Sequence, residues 1–246
     1  MTVTTSPQDP STPFWSTRYG IAAAVPTDNM IARSLKTYGE WTEQTSDLLS
    51  ALVDERHVVL EFGAEYAAHA LWMSRAVGPG GQVHMVEPRR IRFQQSCATI
   101  ALNGLDNVFA HAVWLGGSRG PHILRGDGRP DESVRGVTLD SLRLASLQLL
   151  KINETDALID LIAGGVETLK TYRPLIYARL SGSEKAAGEV EAIKALGYRV
   201  WSHLPYLFNR ENHAGVAQNL FPGVVQQNVI AASAGGNVDF TDLVEL

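Results

Sequence analysis

The 246-residue chain is 45% hydrophobic and 19% charged, with a formal net charge of −5, values ordinary for one soluble globular unit with a substantial core. The acidic balance argues against a nucleic-acid partner, since phosphate-neutralising surfaces need clustered Lys and Arg, and no run approaches the roughly 20 apolar residues of a membrane span. Cys97 stands alone, which excludes an intrachain disulfide and a cysteine metal cage and fits a cytoplasmic location.

Residues 1–13 are rich in Thr, Ser and Pro and lack the basic and apolar segments of a signal peptide, so a disordered tail is expected. A single domain over 14–246 follows, in which 14–53 form a cover and 54–246 a core. Residues 14–29 predict a short hairpin or cover segment. From 30 to 53, Ile31, Leu35, Tyr38, Trp41, Leu48, Leu49 and Leu52 recur at mixed helical spacing around a break near Gly39, predicting helices that lid the sheet's carboxyl edge. Tyr38, Glu40 and Trp41 either line a pocket there, or Trp41 anchors the core and Glu40 is solvated.

The stretch 58–88, VVLEFGAEYAAHALWMSRAVGPGGQVHMVEP, reads as strand, glycine turn, helix, turn, strand. Val58, Val59 and Leu60 suit a strand buried on both faces, the helix is expected over 66–77, and Gly78-Pro79-Gly80-Gly81 stops it. Ligands of open α/β sheets bind at the carboxyl ends of the strands, where helix N-termini and glycine turns present N–H groups. Glu87, ending the second of these strands, can accept both hydroxyls of a ribose, and Glu61, ending the first, can meet an ammonium group. S-adenosylmethionine, with a ribose, an amino group, a carboxylate and no pyrophosphate, fits this better than NAD.

Arg89, Arg90 and Arg92 open the next helix, 91–102, as a solvated face or a flank to the adenosine side, and Asn103-Gly104 closes it with a left-handed cap. Residues 108–113 predict a third strand. The Gly-, Arg- and Pro-rich span 115–135 predicts a loop, with a short strand near 122–124. His111 and His122 have no partner in sequence and read as structural or exposed. A fourth strand, 147–152, ends beside Lys151, Asn153, Glu154 and Asp156. Asn153 is placed to touch the sulfonium side of the cofactor or a substrate hydroxyl. Lys151 is either a base of lowered proton affinity or an ion-pair partner of Glu154 or Asp156. A helix over 157–172, a strand over 175–180, a helix over 184–196, a strand over 198–204 and a last strand over 224–232 complete the sheet. The return 205–223 crosses its edge, and His203 and His213 are the leading candidates for a general base.

These segments resemble the FkbM family of class I methyltransferases, whose members commonly read (D)VGANxG in the first turn and FEP at the second strand. Further likeness lies in Tyr38-Gly39-Glu40-Trp41, Ala101-Leu102-Asn103-Gly104, Val137-Thr138-Leu139-Asp140-Ser141-Leu142, Leu149-Leu150-Lys151-Ile152, Arg173-Pro174-Leu175-Ile176-Tyr177, Leu207-Phe208-Asn209 and Asn219-Leu220-Phe221. The resemblance implies a Rossmann-like α/β fold, with a mostly parallel seven-stranded sheet, an antiparallel last strand and helices on both faces. It further implies S-adenosylmethionine as methyl donor and O-methylation of a small hydroxylated metabolite, natural product or glycan. Tyr38, Glu61, Gly63, Ala64, Glu65, Glu87 and Asn153 would then hold the cofactor, Lys151, Asn153, His203 and His213 would serve catalysis, and no metal is implied. Two departures stand out. The turn carries Glu65 and Ala67 in place of asparagine and glycine, and residues 151–158, KINETDAL, replace KIDVEGxE. They open a second reading, a methyltransferase-fold protein that has lost methyl transfer and serves as a partner subunit or catalyses another reaction. Phe14, Trp15, Trp41, Tyr206, Phe208 and Phe221 suggest a homodimer beside the lid, or else complete the monomer's own core.

Overall fold

In the computed structural model, which describes residues 13–24, 29–125, 130–236 and 238–246, the hairpin is formed by β1 (Phe14–Thr17) and β2 (Gly20–Ala23). The expected tail, but for Pro13, lies outside the described residues. Two cover helices follow. α1 (Met30–Tyr38) starts where the Asn29 side chain accepts the Ala32 N–H and stops at Gly39, whose φ of 68° lets its N–H reach Leu35 O. α2 is Glu43–Ser50.

The core comprises β3 (Val58–Phe62), α3 (Ala70–Val77), β4 (Gln82–Val86), α4 (Arg90–Leu102), β5 (Val108–His111), β6 (Trp114–Leu115), β7 (Gly120–Leu124), β8 (Glu132–Val137), β9 (Leu149–Ile152), α5 (Leu158–Ala163), α6 (Val166–Tyr172), β10 (Leu175–Arg179), α7 (Ser183–Ala195), β11 (Tyr198–His203), β12 (Asn228–Ser233) and β13 (Val244–Glu245). The main sheet runs β13-β11-β12-β10-β9-β3-β4-β5. Strands β5, β4, β3, β9 and β10 are parallel, and β12 is antiparallel between β10 and β11. This is the expected α/β architecture, with the two-residue β13 added at one edge as an eighth strand. The chain steps from β3 to β4 on one side and to β9 on the other, so the topological switch point opens a crevice at the carboxyl ends of β3 and β9.

Strand alternation divides the interior into two layers. Leu60, Phe62, Leu150 and Ile152 pack with Leu158 and Leu161 of α5, Leu169 of α6 and Ile193 of α7, whereas Val59, Val83, Met85 and Leu149 pack with Leu49 of α2 and Met73 and Val77 of α3. A third cluster joins Trp15, Leu35, Tyr38, Trp41, Tyr66, Leu207 and Phe221 under the cover.

Three elements depart from the sequence reading. The span expected as a loop with one short strand near 122–124 contains that strand as β7, but within a three-stranded sheet, β6-β8-β7, whose Leu115, Leu124 and Val137 enter the core while Trp114 stacks on His122 with ring centroids 4.2 Å apart. The single helix expected over 157–172 is two, α5 and α6. At the junction a Cβ on Gly164 would stand 2.1 Å from Gly116 O, so the turn between the helices lies against the backbone just after β6 more closely than a side chain permits. The helix expected from 66 starts at Ala70, behind three consecutive left-handed residues. Among the described residues no helix is long and apolar enough to cross a membrane.

Candidate functional site

At the end of β3, Gly63 turns the chain at φ 86°, and Glu65, Tyr66 and Ala67 follow at 46°, 66° and 64°. Left-handed backbone costs a residue with a Cβ about 1–2 kcal/mol, so the turn persists because its side chains are held. Glu65 is buried, accepting Trp41 Nε1–H at 2.8 Å and Arg179 Nη2–H at 2.7 Å. The Tyr66 hydroxyl accepts from Asn29 Nδ2 at 2.7 Å. Burial alone would raise the Glu65 pKa, but Arg179, Lys151, His69 and the Trp41 hydrogen bond outweigh it and hold the carboxyl at about 2. Glu65 therefore faces neither solvent nor an open ligand site.

Strand register creates a second buried group. Glu61 lies directly opposite Lys151 on β9, and Lys151 opposite Tyr177 on β10. Lys151 Nζ donates to Glu61 Oε1 at 3.0 Å and to Asn153 Oδ1 at 2.6 Å, while Asn153 Nδ2 donates to the same Glu61 oxygen at 3.0 Å and to Gly63 O at 2.7 Å. Lys151 thus pairs with neither Glu154 nor Asp156. Those carboxylates bond Arg89 at 2.6 Å and Lys185 at 2.8 Å. The ammonium that Glu61 meets is the protein's own.

His69, which the sequence reading did not single out, stands with its Nε2 3.1 Å from Trp41 O and its Nδ1 3.4 Å from Glu61 and 3.8 Å from Glu65. Glu61, Glu65 and His69 bring one ligand atom each within 4.8 Å of one another. Lys151 and Arg179 already supply positive charge to both carboxylates, which disfavours a dication there.

Glu87 follows β4 and is fully buried. Its Oε1 accepts the Arg89 N–H at 2.9 Å, and its Oε2 has no hydrogen-bond partner among the described residues. Burial and the Glu154 charge push its pKa up to about 7 against the lowering effects of the Arg89 N–H and of Arg92 and Arg89. A Cβ on Gly63 would stand 3.1 Å from both Asn153 Cβ and Glu154 Cγ, so these two residues cover the glycine turn.

The candidate bases lie in other groups. The Tyr177 hydroxyl meets His203 Nδ1 at 2.8 Å, Thr45 Oγ1 at 3.0 Å and Asn228 Nδ2 at 2.9 Å, and burial lowers the His203 pKa. His213 sits against Gly39, its backbone N–H donating to Glu40 Oε2 at 2.9 Å. Glu40 is buried and also receives Arg18 at 2.8 Å, so it is not a solvated helix residue. Tyr38 joins cover to return: its hydroxyl donates to Gln218 O at 2.9 Å and accepts Leu220 N–H at 2.7 Å, and its ring lies 5.4 Å from that of Phe208. Ala64 is fully buried in the turn. The structure thus joins Glu61, Lys151, Asn153 and Gly63, and leaves His203, His213 and Tyr38 in separate networks.

Beyond Arg179, at the carboxyl end of β10, a cavity of about 460 Å³ opens between the start of α1 and the return. Arg92, Arg179, Trp41 and Leu207 line it, and the described lining residues include no histidine or carboxylate. His69 and Arg179 escaped the sequence reading because neither sits in a recognisable pattern; the one available signal was Arg179 at a strand's carboxyl end.

No protein-family profile matches the chain, and no curated protein matches it in sequence. Solved structures do match its fold. The precorrin-6y C5,15-methyltransferase of Geobacter metallireducens GS-15 aligns at 13% identity and a TM-score of 0.53, over 77% of this chain and 89% of that one. A SAM-dependent O-methyltransferase of Thermotoga maritima aligns at 15% identity and 0.53, over 92% and 79%. Methyltransferase FkbM of Methylobacillus flagellatus KT aligns at 13% identity and 0.51, over 72% of this chain and 44% of the longer partner. The fold is accordingly that of the Rossmann-like class I methyltransferases.

Proposed function

We propose that the chain is an S-adenosylmethionine-dependent methyltransferase of the FkbM type, acting on a hydroxyl of a small molecule. The observation that carries this reading is Glu87: a fully buried carboxylate beyond the second core strand, one of whose oxygens has no donor among the described residues. Leaving a buried acceptor unpaired costs about 1–3 kcal/mol, and ribose hydroxyls are donors of the right kind at the place where this fold binds ligands. Gly63 and Ala64 would offer backbone to the cofactor, and Glu61, Lys151 and Asn153 would brace the turn rather than touch it. When bound, the cofactor supplies an electrophilic methyl group. With no histidine or carboxylate among the described residues that line the neighbouring cavity, alignment of the accepting oxygen would carry most of the catalysis, and its proton would leave to water.

One observation favours the second reading, a protein of this fold without methyl transfer. Glu154 stands over Gly63, and its ion pair with Arg89 lies beside Glu87, so the chain's own side chains occupy the approach to the turn. Calorimetry with S-adenosylhomocysteine separates the two. The first reading expects saturable heat below millimolar ligand, weakened at least about tenfold by Glu87→Ala. Absence of heat at millimolar concentration would hand the chain to the second.

A further inference from the structure

The cavity beyond β10 has a lopsided charge. Among the described residues, Arg92 and Arg179 are the charged residues that line it. Arg179 is matched by Glu65 at 2.7 Å. Arg92 has no ion pair or hydrogen bond among the described residues; its guanidinium lies 5.9 Å from the centroid of the Tyr66 ring. It belongs to the first turn of α4, a 13-residue helix, so the positive end of the helix dipole adds to its charge. Glu87, whose carboxyl feels the Arg92 charge, is fully buried and forms no ion pair with it.

The rest of the described wall is uncharged, with the polar groups of Asn29, Ser181, Gln226 and Gln227 beside an apolar majority. Met30, Ile31, Leu180, Leu207 and Val225 contribute hydrocarbon, and the volume of about 460 Å³ falls within the range of small-molecule sites. A half-buried cation without an ion pair among the described residues, lining a largely apolar chamber, is complementary to a molecule with an apolar body and one anionic group. We propose that this cavity binds such an amphiphilic anion, with its carboxylate or equivalent oxyanion on Arg92 and its apolar part against Ile31, Leu207 and Val225. That this anion is the methyl acceptor rests on the methyltransferase reading; the binding itself does not.

Fluorescence titration of the full chain tests the site with two probes that differ in one group: 8-anilinonaphthalene-1-sulfonate, which carries the anion, and N-phenyl-1-naphthylamine, which lacks it. The sulfonate should bind at one site, at least tenfold tighter than the neutral amine. Arg92→Gln should remove most of that preference and Arg92→Lys retain part of it, while Val225→Trp, which narrows the chamber, should weaken both probes. Equal affinity for the two probes, a preference unchanged by Arg92→Gln, or binding indifferent to Val225→Trp would each overturn the site. Sulfonate binding as expected without heat from S-adenosylhomocysteine would keep the anion site and reject the methyltransferase reading; the reverse pair of results would do the opposite.

Discussion

Glu87 and Glu65 are buried carboxylates within one crevice region whose proton affinities are driven in opposite directions. Glu87 is raised to about 7 from 4.5, so its contribution to stability is intact below pH 4.5 and is lost as pH rises through 7. Glu65 is lowered to about 2, so its contribution is present above pH 4.5 and disappears on acidification toward 2. Urea unfolding at pH 5 and pH 8 should show Glu87→Gln gaining on the parent chain by on the order of 3 kcal/mol between the two pH values. A constant difference would mean that Glu87 is ionised throughout. Glu154 occupies space beside Gly63, so Glu154→Ala is expected to tighten S-adenosylhomocysteine several-fold in the calorimetric assay; weaker binding would show that Glu154 holds the cofactor rather than excluding it. Ala67 sits at φ 64° in a fully buried turn. Ala67→Gly should relieve about 1 kcal/mol of strain and raise Tm by about 2–4 °C. Glu65→Asn, the other step toward the FkbM pattern, should destabilise by about 2–4 kcal/mol, because Arg179 loses its carboxylate.

At the level of elements, the cover and the return are joined by backbone groups that converge on Tyr38. Its hydroxyl serves both Gln218 O and Leu220 N–H, and its carbonyl accepts Ala214 N–H at 3.0 Å. Tyr38→Phe leaves two backbone groups of the return without their partner, at a cost of about 1–3 kcal/mol. Hydrogen exchange should then quicken in 204–221 before it changes in β3 or β9. Exchange that quickens equally across the sheet would show that cover and core unfold as one unit. Gly39 lies beside this junction, and a Cβ there would meet His213 Cδ2 at 2.8 Å and Ser16 O at 2.9 Å. The close approach explains why this helix must end in glycine for more than its φ of 68°.

For the molecule as a whole, the aromatic rings that suggested a dimer are mostly used internally. Trp15, Trp41 and Phe221 are buried in the third cluster and Phe208 packs against it, leaving Phe14 and Tyr206 about half exposed. Those two rings offer little area for a stable partner surface, so sedimentation at micromolar concentration is expected to give a single 26.8 kDa species. A faster-sedimenting species would point to an interface built on Phe14 and Tyr206. The order of strands was legible in the sequence because local signals carry it. An apolar run bounded by Gly63, the stop 78–81 and Glu87 after the next strand mark a strand-turn-helix-strand unit whatever lies around it. Of the small sheet β6-β8-β7 only the strand near 122–124 was legible, since the glycines and arginines of this span mask strands that are stable only on the core they cover. Ion-pair partners were illegible for a related reason. Lys151 has acids three and five positions away in sequence, yet the parallel register of β3 and β9 sets Glu61 directly opposite it, and Glu65 finds its cation 114 positions along the chain. Local chemistry thus determined the scaffold and the strand ends of this protein. Tertiary structure alone decided which charges at those ends pair with one another and which, Arg92 foremost, have no ion pair among the described residues, because a buried charge is settled by whatever register and packing bring within about 4 Å of it.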